Sequence, residues 1–211
     1  MNWDNMNSKC EISQACRKIP MIKAYVANVI NEIENLRKYC IYLDKCPLED
    51  VGINYKGEEV EHSTLPKSLI NNGNIKENNK HVIIYKELFD PNELKELKCY
   101  IFIGMPETKR NNQYNIHTLL IDILVPQEYN CLIDEFSERI YCIADIICQR
   151  LDGHIISNKE RNANYIGNLE FKAKDTIYEN RLSNSNTFIQ VRIPFIIKTS
   201  GVSYYENEYE V

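Results

Sequence analysis

Two successive apolar runs constrain this chain more than any other feature. Cys99-Tyr100-Ile101-Phe102-Ile103 reads as a strand with apolar residues on both faces. Ile116 to Val125 reads the same way, interrupted only by His117, Thr118 and Asp122. Such strands belong to a sheet covered on both sides. In one small domain a helix can cover one face, and a neighbouring subunit can cover the other. Pro106 to Asn115, with Lys109, Arg110, Asn111, Asn112 and Gln113, reads as a long polar hairpin loop between them.

The helix that follows is the clearest in the chain. Over Cys131 to Leu151 the residues Ile133, Phe136, Ile140, Ile143, Ile147 and Leu151 recur at helical spacing. Asn130 is the expected cap, Asp134 and Glu135 suit the first turn, Arg150 suits the last, and Gly153 is the stop. Ile146 lies off the stripe. Upstream, Met21 to Cys40 reads as a second helix, with Ile22, Val26, Val29, Ile30, Ile33 and Leu36 on one side. Pro47 ends that region.

Val51 to Lys80 is the least regular stretch, with turn signals at Tyr55-Lys56-Gly57-Glu58 and Asn71-Asn72-Gly73-Asn74. His81 to Tyr85 suits a short strand, and Pro91 to Leu97 a helical turn behind Asp90. After the long helix come a short strand at His154 to Ser157, a turn at Lys159 to Asn164, a strand at Tyr165 to Phe171 and a last strand at Thr187 to Thr199. In that last strand Ile189, Val191, Ile193 and Phe195 share one face, and Gln190 and Arg192 the other. Pro194 cannot donate to a ladder, so the strand is expected at an edge or a bulge.

This order of elements predicts an α+β fold, one antiparallel sheet with a long hairpin packed by one long helix, plus an N-terminal helix and extension. The expected divisions are an arm over 1–20, the helix and irregular extension over 21–98, the α+β core over 99–199 and an acidic tail over 200–211.

Composition removes several functions. With 211 residues, 44% hydrophobic and 26% charged, the chain is an ordinary globular one. Its net charge of −5 and the lack of a Lys/Arg run argue against a freely acting nucleic-acid binder. No stretch nears eighteen apolar residues, and the polar start Met1-Asn2-Trp3-Asp4-Asn5 is unlike a signal peptide, so folding in a reducing cytoplasm is expected. The chain holds 25 Asn, 29 Ile and 17 Lys, a bias toward A/T-rich codons that points to an AT-rich genome.

Chemistry-bearing motifs are weak throughout. The eight cysteines include the pairs Cys10/Cys16, Cys40/Cys46 and Cys142/Cys148, but no CxxC and no zinc spacing, so free thiols are expected. The histidines His62, His81, His117 and His154 are scattered. The glycines make no phosphate cradle, and no GxSxG elbow occurs. An acid–base pair of His117 and Asp122 is the remaining enzymatic reading. The expectation is a non-enzyme with no cofactor and no metal.

Several segments carry a resemblance. Leu119-Leu120-Ile121-Asp122-Ile123-Leu124-Val125-Pro126 resembles the second hairpin strand of tailed-phage tail-terminator and head–tail joining proteins. Arg139-Ile140-Tyr141-Cys142-Ile143-Ala144-Asp145-Ile146-Ile147, with Gly153 beyond it, is similar to their "R..I...I...L.G" helix. Tyr165-Ile166-Gly167-Asn168-Leu169-Glu170-Phe171 looks like their "GIGKLEF" strand, and Phe188 to Ile197 like their closing strand. Gly52-Ile53-Asn54-Tyr55-Lys56-Gly57 resembles a "GI-Y-GK" turn of neck ring proteins in crAss-like phages, whose hosts have AT-rich genomes. The resemblance covers about Cys99 to Thr199 and extends faintly to Gly52.

The resemblance implies a tail-terminator-like fold and a structural virion protein, assembled in the host cytoplasm and sited in the phage neck or at the head–tail junction. It would form a homo-oligomeric ring joining portal-side and tail-side components, with DNA passing through unbound and no membrane involved. The candidate interface residues are Lys109, Arg110, Asn112 and Tyr114 on the hairpin, Arg192 on the last strand, and Tyr204, Tyr205 and Tyr209 in the tail. The alternative is a non-catalytic adaptor or regulatory protein of a mobile element.

Overall fold

The computed structural model describes residues 18–70, 82–84, 94, 96–110, 114–134, 136–158, 164–171, 178–181 and 187–200. Helix α1 covers 18–31 and α2 covers Glu34–Ile41. Strands β1 (Val51–Ile53) and β2 (Glu59–Glu61) form a separate hairpin. The main sheet holds β3 (Ile83–Ile84), β4 (Tyr100–Arg110), β5 (Tyr114–Pro126), β6 (Ile155–Asn158), β7 (Asn164–Phe171), β8 (Tyr178–Arg181) and β9 (Phe188–Ser200). Helix α3 (Arg139–Leu151) lies between β5 and β6 in sequence. The sheet order is β3-β4-β5-β9-β7-β6, with β8 also paired to β9. Every pairing is antiparallel except β3 with β4. The fold is α+β, as the order of elements implied.

The inner face of this sheet carries the core. Ile121, Ile123, Val125, Ile189, Val191, Ile193, Phe195 and Ile197 pack with Ile140, Ile143, Ile147 and Leu151 of α3. Ile22, Val26 and Ile30 of α1 and Leu36 of α2 join the same cluster. Burying each such side chain stabilises the fold by roughly 1.5–3 kcal/mol before entropy is counted.

The first helix breaks where none was expected. Residues 32 and 33 interrupt it, and Ile33 is extended (φ −82°, ψ 109°). On one unbroken helix Ile30 and Leu36 would lie about 120° apart around the axis. The break resets that phase, and both side chains are fully buried. No Gly or Pro marks the position.

The long helix is shorter than its stripe. It begins at Arg139, and Cys131 bridges to Glu138 across a loop instead. Ile133 and Phe136 fit the spacing yet are 54% and 96% exposed. Asn130 still caps α3, from nine positions before the first helical residue: its Oδ1 accepts from the Ile140 N–H at 3.1 Å. Gly153, at φ +72°, ends the helix as expected.

The polar hairpin loop shrinks too. β4 runs on to Arg110 and β5 starts at Tyr114, leaving 111–113 between them, so Pro106 to Arg110 belongs to a strand. Pro106 is tolerated because the β4–β5 register shifts between Gly104 and Glu107.

β9 is central, which corrects the edge placement. It pairs with β5 along its length. On its other side, β8 pairs with 189–192 and β7 with 195–199. Pro194 falls in the gap between those two partners, where no ladder needs its missing N–H.

The second sheet face is not left entirely to a neighbour. Tyr100, Phe102, Leu124 and Phe188 form a buried outer cluster, with Ile84 and Leu94 of the same chain against it. The irregular extension contains the β1–β2 hairpin, turning through Tyr55-Lys56-Gly57 with Gly57 at φ +85°. Residues 94, 96 and 97 are not helical, and the rest of the turn expected at Pro91 lies outside the described residues, as do 1–17 and 71–81.

Candidate functional site

The register of β5 sorts the polar candidates onto two faces. His117 shares parity with Leu119 and Ile121 and points inward. Asp122 shares parity with Leu120 and Leu124 and points outward. The two are therefore on opposite sides of the sheet and cannot act on one proton.

His117 is fully buried between two threonines. Its Nδ1 lies 2.9 Å from Thr108 Oγ1, and its Nε2 lies 3.1 Å from Thr199 Oγ1. Burial lowers its pKa below the ordinary histidine value, and the charge of Lys18 adds to that. It is a satisfied core histidine.

Asp122 lies directly opposite Arg192. Arg192 donates from Nε to Oδ1 at 2.6 Å and from Nη2 to Oδ2 at 3.1 Å, and Gln190 donates to Oδ1 at 2.9 Å. The hydrogen bonds and charge of Asp122 raise the arginine's pKa, against an opposing effect of burial. The pair is two-pronged, the geometry in which Arg binds carboxylate best. Arg192 thus spends its charge within the chain.

Lys109 is exposed on β4 and pairs with Glu107 at 3.2 Å. Its partner on β5 is Ile116, of the same parity as Asp122, so Lys109 and Arg192 share the outer face. Six strand residues separate the two positions, about 20 Å. Between them lie half-buried Ile116, Thr118, Leu120 and Ile196. Lys198 and Glu170, paired at 3.1 Å, border this strip on the β7 side. The result is a mixed apolar and charged sheet face on the β4–β5–β9 arm, suited to packing against protein. Arg110 and Tyr114 are placed on strands, while Asn112, Tyr204, Tyr205 and Tyr209 lie outside the described residues.

A second polar assembly went unread in the sequence. Arg139 is fully buried at the first turn of α3. Its Nε donates to the carbonyl of Tyr129 at 2.8 Å, and Nη1 to those of Tyr39 at 2.6 Å and Tyr42 at 2.8 Å. Nη2 donates to the carbonyl of Asp44. An arginine at a helix N-terminus is electrostatically misplaced with respect to its own helix. Here it faces the negative C-terminal end of α2, and that mismatch was the available signal.

Beside it, the side chain of Asp44 pairs with His62 Nε2 at 2.9 Å, and His62 stacks on Tyr42 at 3.9 Å between ring centroids. Gly52 leaves room for this pair: a Cβ there would lie 2.6 Å from both Asp44 Cγ and His62 Nε2. The two glycines of the Gly52 to Gly57 turn thus have separate physical reasons. The assembly fastens the β1–β2 hairpin and α2 to the head of α3, and it is structural.

Cys40, Cys46, Cys99, Cys131, Cys142 and Cys148 are free thiols. Among the described residues, no cluster of three or more His, Cys, Asp or Glu could hold a metal, and no helix is long and apolar enough to cross a membrane.

No curated protein matches the chain. A family model, that of YomW, matches residues 53–196, a span that takes in Arg139, the Asp122–Arg192 pair and almost the whole main sheet. That match covers more than half of the sequence, and the chain belongs to the YomW family, a phage-associated family.

Proposed function

We propose that the chain is a structural, non-enzymatic subunit of a phage particle, forming a ring in the neck or at the head–tail junction, of the kind found in crAss-like phages. The ring would join portal-side and tail-side components around the DNA channel. The observation that carries this reading is the outer face of the β4–β5–β9 arm, in a chain of a phage-associated family. Half-buried Ile116, Leu120 and Ile196, bordered by the Asp122–Arg192, Glu107–Lys109 and Glu170–Lys198 pairs, offer one apolar strip with fixed charges around it. Such a face can set the register of a neighbour while staying compatible with water before assembly.

Electron microscopy of the purified full chain, and of virions labelled with an antibody against it, tests the proposal. Ring particles in the first and label at the neck in the second are expected. Compact monomers under every condition, with no label on virions, would sink it.

A further inference from the structure

The loop between the Asn130 cap and α3 is tied down by hydrogen bonds and leaves an aromatic side chain in water. Ile133 N–H donates to the carbonyl of Lys45 at 3.1 Å, and Leu132 N–H to that of Ser137 at 3.1 Å. Ser137 N–H donates to Asp134 Oδ1 at 2.8 Å, and its hydroxyl donates to Oδ2. These hydrogen bonds hold the Asp134 carboxyl below its ordinary pKa, so it is ionised near neutrality. The loop is pinned at several points, and Phe136 between them is 96% exposed. A phenylalanine ring left in water beside a tied-down backbone is unfavourable for the isolated chain and offers a large apolar surface for recognition.

Next to this loop is a cleft of about 180 Å³. Tyr39, Cys46, Leu48, Leu132, Ile133 and Cys142 give it apolar walls. Leu48 and Ile133 are themselves largely exposed, which extends the apolar surface outward. Among the described residues, Glu49, Asp134 and Lys45 are the charged groups lining it. Lys45 sits over the Tyr55 ring, 5.6 Å from its centroid, which draws its ammonium toward that ring while it keeps its charge. Two carboxylates against one ammonium leave the apolar mouth with an acidic excess, on a chain of net charge −5.

We propose that this cleft and Phe136 form a docking surface for a basic, apolar peptide segment of a partner protein, its apolar side chains entering the cleft and its Lys or Arg meeting Glu49 and Asp134. Charge complementarity selects such a segment over an acidic one and over this acidic chain itself. The surface is separate from the outer sheet face invoked for the ring, so either reading can fail alone.

The test uses the full chain and two fluorescent twelve-residue amphipathic peptides, one of Leu and Lys and one of Leu and Glu, read by anisotropy. The Lys peptide is expected to bind the native chain, and Phe136→Ser and Glu49→Lys are each expected to weaken it at least tenfold. Both changes are at exposed positions, and melting curves matching the native chain establish that each variant is folded. Equal binding of the Lys peptide to the native chain and both folded variants, or a preference for the Glu peptide, overturns the proposal. Native self-association abolished by Phe136→Ser overturns it as well, by making a second copy the occupant.

Discussion

Arg139, at the head of α3, donates from Nη1 to the carbonyl of Tyr39, in the last turn of α2, at 2.6 Å. With the bonds to Tyr42, Asp44 and Tyr129, one side chain satisfies four backbone carbonyls. Hydrogen bonds to charged groups are worth about 1.5–3 kcal/mol each, and their buried partners are costly to leave unmet. Arg139→Ala is expected to destabilise the chain by about 3 kcal/mol or more, read as a lowered urea midpoint. Arg139→Lys should recover only part of that, since an ammonium cannot span the same fan of acceptors. A melt unchanged by Arg139→Ala would remove the arginine from its structural role.

The two turn glycines separate by mechanism. Gly57→Ala meets no atom within 4 Å and is strained only by its φ of +85°, an expected cost of about 1 kcal/mol. Gly52→Ala drives a methyl into Asp44 and His62. It should displace the His62 imidazole resonances in NMR, whereas Gly57→Ala should leave them in place.

Position along the apolar stripe decides the next pair. Ile140 is fully buried in the core, and an unpaired carboxylate there is costly enough that Ile140→Asp should yield no soluble protein. Ile133→Asp, two stripe positions upstream but exposed, should express and melt within about 0.5 kcal/mol of the native chain. Equal loss in both variants would restore the helix to Cys131.

Acid should weaken the fold through His117. Its folded pKa lies below the ordinary 6.5, so the unfolded chain takes up a proton first as pH falls. Stability is unaffected by this group well above pH 6.5 and is lost as pH drops through 6.5 toward the folded value. His154 acts in the same direction, mainly by burial. His117→Gln, which keeps a donor and an acceptor for Thr108 and Thr199, should flatten the slope of the urea midpoint between pH 7 and 5. An unchanged slope would place the pH sensitivity elsewhere.

Free DNA should bind weakly. Duplex binding depends on Lys and Arg releasing counterions, and here Arg192, Lys109 and Lys198 are matched to carboxylates on a chain of net charge −5. In a mobility-shift titration at physiological salt, affinity no tighter than the nonspecific range of about 10⁻⁴–10⁻⁶ M is expected. Tighter binding, lost steeply with salt, would reveal a concentrated basic surface.

What the sequence disclosed and what it hid divide along one physical line. The run Ile140, Ile143, Ile147 and Leu151 was readable because helical period is local. Its upstream limit was not, because Ile133 and Phe136 continue the spacing while their loop is fixed by a bond to Lys45, far away in sequence. The rule about Pro194 was sound in its chemistry, yet the gap that accommodates it depends on where β7 and β8 stop. Arg192 was visible as a polar residue on the far side of a strand. That Asp122 neutralises it follows from a strand pairing between residues seventy positions apart. The Arg139 assembly needed three separated segments to meet, which no window of sequence contains.

The central position of β9 has a consequence during synthesis. β5, β7 and β8 all pair with it, so each presents an open edge until 188–200 has left the ribosome. Strands made more than sixty residues earlier, in β5, must wait beside hydrophobic neighbours for their partner. The nascent chain is therefore most exposed to aggregation just before its sheet closes. The same delay means that the finished outer face, and any assembly through it, comes into existence in one late step.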